Sequence, residues 1–69
     1  MRARFQLAAD LEVEIEGDFQ NKEVHFRVRY GETPEPGEKD KRVFTGVPMR
    51  KGAARAISST IMGCAAELD

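Results

Sequence analysis

Two residue types that most often do chemistry near neutral pH occur once each in this chain of 69 residues, as His25 and Cys64. A nucleophilic thiol or hydroxyl needs a base within hydrogen-bond reach and a further group to orient that base. Cys64 lies in an apolar run with Ser58, Ser59 and Thr60, and none of the four has an evident base to activate it, so Cys64 is expected as a small core side chain. A lone cysteine cannot form an internal disulfide, and with a lone histidine it falls short of a tetrahedral zinc site. Carboxylates recur at every second position, Asp10, Glu12, Glu14 and Glu16, but Arg27 and Arg29 repeat at the same spacing. That pattern predicts cross-strand ion pairs rather than an acid/base couple. His25 falls beside Glu14 or Glu16 on the same polar face. The glycines show no phosphate-loop spacing. This inventory predicts no catalysis, no metal and no cofactor, and therefore a protein that acts by binding.

The strongest local charge asymmetry is basic. From Lys41 to Arg55 the chain carries Lys41, Arg42, Arg50, Lys51 and Arg55 and no acid. A helix N-terminus with Arg and Lys beside it is a ready anion site, so these five are the candidate partner- or anion-binding group. Strands followed by the segment Met49-Arg50-Lys51-Gly52-Ala53-Ala54-Arg55 loosely resemble the C-terminal part of a double-stranded RNA-binding domain, where a lysine-rich helix start clamps phosphates. The resemblance implies a nucleic-acid or phosphate-binding module. It covers less than half of the chain, and that family's first helix and lysine spacing have no counterpart here. The net charge of −1 points away from a general polyanion binder. Phe44, the aromatic closest to the basic group, is expected in the core.

These residues must be positioned by elements legible in the hydrophobic pattern. Residues 5–15 alternate, with Phe5, Leu7, Ala9, Leu11, Val13 and Ile15 on one side and Gln6, Ala8, Asp10, Glu12 and Glu14 on the other. This period of two predicts one strand with one buried face. After a loop over residues 17–22, Val24, Phe26, Val28 and Tyr30 alternate with His25, Arg27 and Arg29 in a second strand. Antiparallel pairing sets Ile15 opposite Phe26, Val13 opposite Val28 and Leu11 opposite Tyr30, and matches Glu14 to Arg27 and Glu12 to Arg29. Glu12, Glu14, His25, Arg27 and Arg29 then form a charged sheet face. Residues 31–41 read as loop, residues 42–47 as a third strand, and Pro48 as the start of a helix. From about residue 49 to 68 the period becomes 3.6, with an apolar stripe of Ala53 or Ala54, Ile57, Ile61, Cys64 or Ala65, and Leu68. The expected fold class is α+β: a three-stranded antiparallel β-meander covered on one face by a single C-terminal helix (β-β-β-α), residues 1–69 forming one domain.

A chain of this length buries only about 60% of its unfolded surface, and domains so small usually need a disulfide, a metal or a partner. The first two are ruled out above, so self-association is expected. Ala56, Ser59, Gly63 and Ala66, with Glu67, mark a small-residue helix face and form the candidate self-association interface. Arg50, Lys51 and Arg55 crowd the helix start while Glu67 and Asp69 sit at its end, the reverse of what the macrodipole favours. A second copy packed antiparallel, or an anionic ligand, compensates for that arrangement. No apolar run approaches the roughly 20 residues of a membrane span, and the basic stretch Met1-Arg2-Ala3-Arg4 has no apolar signal core behind it. The expectation is a cytoplasmic homodimer acting by protein–protein contact, as a modulator or inhibitor of a larger machine. Small motif-free domains of this kind are common among accessory proteins of phages and mobile elements, anti-CRISPR-like inhibitors among them, an analogy of size alone. The alternative is a nucleic-acid or phosphate-binding module built on the basic helix start.

Overall fold

Charged and apolar residues alternate along two adjacent stretches of chain, and these become the central strands. The computed structural model describes residues 1–68, with strands β1 (Arg2–Ala8), β2 (Leu11–Asp18), β3 (Glu23–Tyr30) and β4 (Val43–Arg50) followed by helix α1 (Lys51–Glu67). The strands form one antiparallel sheet in the order β1-β2-β3-β4. The expected β2–β3 register is observed, with Ile15 opposite Phe26, Val13 opposite Val28, Leu11 opposite Tyr30, Glu14 opposite Arg27 and Glu12 opposite Arg29. The Asp18 carboxylate closes the hairpin by accepting hydrogen bonds from the Asn21 backbone N–H at 3.1 Å and its side-chain amide at 2.8 Å. Lys22 completes the turn in the left-handed region, at φ 54°.

The sheet has four strands, not three. The stretch expected as one strand over residues 5–15 is two, reversing at Ala9-Asp10 so that Ala8 faces Leu11 and Phe5 faces Val13. Leu7 bulges out of the ladder between Gln6 and Ala8, and this extra residue keeps the alternation running through the reversal. The turn residues offer no Asn-Gly or Asp-Gly pair to announce it. β4 also runs further than expected. Pro48 does not open the helix but lies in β4 opposite His25. A residue without an N–H is tolerated there because β4 is an edge strand.

The helix does not cover the sheet as expected. It touches only β3 and β4, none of its residues is buried, and Ile57, Ile61 and Met62 are 48, 62 and 70% exposed. Cys64, expected in the core, is exposed. The cause is at the junction: β4 ends at Arg50 and α1 begins at Lys51, so no loop lets the chain turn back over the strands. The molecule is consequently flat, 39 × 37 × 17 Å. Among the described residues, Val13 is the one buried apolar side chain.

Gly31 ties the end of β3 to the turn between β1 and β2. Its N–H donates to the Asp10 carbonyl at 2.8 Å. Its φ of 120° excludes side chains, and an added Cβ would stand 3.4 Å from the Arg42 Cα. Gly31→Ala is expected to destabilise the fold by about 1 kcal/mol or more. Val13→Ala removes two methylene equivalents at ~0.8 kcal/mol each, plus a cavity cost, for about 2 kcal/mol. Chemical denaturation checks both.

Candidate functional site

Period-two geometry gives the sheet two faces of opposite chemistry. On one face Glu12, Glu14, Arg27 and Arg29 come together as expected, and Arg2 and Arg4 of β1 join them. Glu14 is the centre, its side chain only 5% exposed. The Arg4 Nε donates to Glu14 Oε2 at 2.7 Å, and Arg27 Nη1 donates to Glu14 Oε1 at 3.0 Å and to Glu16 Oε1 at 3.1 Å. Arg2 and Arg29 stand at 3.6 and 3.9 Å from the same Glu14 carboxylate. Glu12 accepts from Arg29 at 3.0 Å and from Arg42 at 3.2 Å, and Arg42 also holds Asp40 at 2.7 Å. Gly46, opposite Arg27, leaves room for the arginine stem to lie across β4.

The proton affinities follow from these contacts. The Arg4 hydrogen bond holds the Glu14 carboxyl below its usual range, with the nearby Arg2 and Arg27 adding to the effect. Asn21 does the same for Asp18. The Arg42 guanidinium lowers Asp40 to about 2. Arg27 and Arg42 are raised in turn by Glu16 and Asp40 respectively.

Arg42, read in sequence as part of an anion-binding group, is therefore already paired, its side chain 13% exposed. The other members are split. Lys41 lies just before β4, while Arg50, Lys51 and Arg55 lie at its far end and in the first turns of α1, all exposed. An eight-residue strand spans about 23 Å between them, so the five do not form one patch. Phe44 is not in the core. It lies on the charged face, 55% exposed, with the Arg29 guanidinium 5.2 Å from its ring centroid. The strand pattern hid this because β4 carries apolar residues on both faces.

Asp18, Glu23 and His25 form a trio that counting cysteine and histidine overlooks, with one donor atom from each within 4.8 Å of the others. Both Asp18 oxygens already accept from Asn21. The His25 Nε2, buried and without a hydrogen bond, lies 3.3 Å from Asp18 Oδ2. The arrangement reads as a capped turn with a histidine packed beside it.

On the opposite face Phe5, Val13, Ile15, Phe26, Val47 and Met49 line up across the strands. A cleft of about 410 Å³ opens between this face and the helix, lined by Ile15, Val24, Phe26 and Met49 from the sheet and Ile57, Ile61 and Met62 from α1. Ala56, Ser59, Gly63, Ala66 and Glu67 are all exposed. Asp69, expected with Glu67 at the acidic end of the helix, lies outside the described residues. Thr60 donates its hydroxyl to the Ala56 carbonyl at 2.9 Å, a bond internal to the helix. Comparison with family models, curated proteins and solved structures gives no match.

The lowered carboxyls set an acid-side stability limit. Glu14, Asp18 and Asp40 bind protons more weakly folded than unfolded. Their contribution is complete above the ordinary carboxylate range and fades as pH falls from about 4 towards 2. The melting temperature is expected to stay level from pH ~7 to ~5 and to drop below that. Glu14→Gln should lower the plateau and shallow the acid limb, as followed by circular dichroism.

Proposed function

We propose that the protein is a non-enzymatic binding protein that works by protein–protein contact, as a modulator or inhibitor of a larger assembly, and that the apolar sheet-and-helix face is a surface for contact with protein. The observation carrying this reading is the chemistry of the uncovered helix. Residues 56–66 contain no charged side chain, yet every one of them is exposed. A helix left in water normally carries charge on its outer face, whereas one apolar or small all round is a buried helix. Beside it Phe5, Ile15 and Val47 are also exposed, at 49, 36 and 55%, so helix and sheet make one continuous apolar surface. Contiguous patches of this kind mark contact sites.

The charged face supports the same division of labour. Each of its arginines is paired with Glu12, Glu14, Glu16 or Asp40 within the chain, so the face is suited to meeting water. The nucleic-acid reading keeps one favourable observation, the exposed Phe44 beside Arg29. Against it stand the net charge of −1 and the separation of the basic residues by the length of β4.

Fluorescence anisotropy with labelled duplex DNA, duplex RNA and single strands separates the two. No saturable binding is expected at physiological salt. Binding that weakens with salt at a slope near 0.9 per phosphate contacted on duplex DNA would favour the nucleic-acid module instead. Tagged protein recovered from its source cells should bring down a defined protein, resistant to nuclease, and Ile57→Asp should lose it.

A further inference from the structure

We infer that the apolar face is covered by a second copy of this chain, in a two-fold dimer whose two α1 helices lie antiparallel between two outward-facing sheets. This rests on the contact reading above and names its partner. The first support is area. The chain exposes 5859 Å², where a compact monomer of this mass exposes about 4,300 Å². About 1,500 Å² per chain is therefore uncovered, well beyond the ~800 Å² per partner of a standard interface and in the range of obligate homodimers. The radius of gyration agrees, 14.3 Å against about 11 Å for a compact chain of this length.

The second support is shape. The cleft beside α1 continues as an apolar depression over Ala3, Phe5 and Ile15 on the β1 side, leaving the sheet open along its width. The helix turns 100° per residue, so Ala56, Ser59 and Gly63 lie on the side away from the cleft-lining Ala54, Ser58 and Ile61. That outer side is small enough for a second helix to approach closely. Gly63 has no use within one chain, since an added Cβ there meets nothing within 4 Å.

The third support is direction. The first turn of α1 holds no acid, its last turn no base, and Arg50 at the N-cap makes no side-chain cap. Antiparallel packing brings Arg50, Lys51 and Arg55 of each copy towards Glu67 of the other, which relieves both helix ends. A two-fold axis makes the contact self-complementary and closed.

Sedimentation equilibrium across a dilution series should give twice the 7.7 kDa chain mass. Gly63→Leu enters open space in the single chain, so it should leave helix content unchanged and raise the dimer dissociation constant roughly tenfold or more. Spin labels on Cys64 test the geometry without altering the interface core, and helices crossing antiparallel near Ser59, midway between Lys51 and Glu67, should place them about 15–20 Å apart. A dimer that shows no label coupling and ignores Gly63→Leu overturns this arrangement. A monomer whose scattering radius stays near 14.3 Å overturns the dimer but leaves the face free for a different protein. A monomer compacted to about 11 Å, its helix folded down on its own sheet, overturns both readings.

Discussion

One layer of sheet has two faces, and a period of two decides the chemistry of both at once. Placing Glu12, Glu14, Arg27 and Arg29 on one side of β2 and β3 forces Leu11, Val13, Ile15, Phe26 and Val28 to the other. The charged side is satisfied within the chain. The apolar side is not, because α1 leaves the edge strand β4 without a loop and reaches only β3 and β4. Val13, central on the sheet, is consequently the one apolar side chain buried among the described residues, while Phe5 and Val47 towards the edges remain about half exposed. Everything else about the molecule, its flatness, its large surface and its thin core, follows from an apolar face wider than its own helix can cover.

Glu14 explains how a single layer holds its register without a core. Four arginines reach it from β1 and β3, and their stems shield it to 5% side-chain exposure on a face that otherwise meets solvent. Isolated surface ion pairs contribute little, but a connected set with short bonds on several strands is different in kind. A slip of one residue would turn Glu14 to the apolar side and its arginines away from any acid. The network thereby fixes β1, an edge strand with no buried side chain, through Arg2 and Arg4. Glu12 does the same at the other side of the sheet, where Arg42 joins it to Asp40 and anchors the end of the 31–42 connection.

The β2–β3 hairpin was legible in the sequence because two independent signals coincide there, apolar alternation and Glu–Arg matching in the same register. Glu12, Glu14, His25, Arg27 and Arg29 were found for that reason. Arg2 and Arg4 were not, because Leu7 bulges out and lets the alternation pass through the Ala9-Asp10 reversal unbroken, so β1 and β2 read as one strand. Pro48 obeys two rules, first position of a helix and edge of a sheet, and sequence offers no way to choose before the strand order is known. The side of the sheet on which Phe44 lies is hidden for a related reason. Val43, Phe44 and Val47 are all apolar, so β4 shows no alternation from which to assign a face. The Asp18–Glu23–His25 trio comes from the same register carried on to Asp18 opposite Glu23, through a stretch over residues 17–22 whose composition reads as loop.

The small core also binds folding to contact. With Val13 the one buried apolar side chain among the described residues, most of the apolar area they can remove from water lies on the face left open. Whatever covers that face supplies burial that the single chain lacks, so stability rises with the occupant's concentration. Under a second copy, the surfaces remaining for a further partner are the charged face and the 31–42 connection, where Lys41 and Phe44 are exposed beside the Asp40–Arg42–Glu12 chain. Two-fold symmetry then repeats those surfaces on opposite sides of the particle. A partner that reaches both copies is bound through effective concentration as well as area.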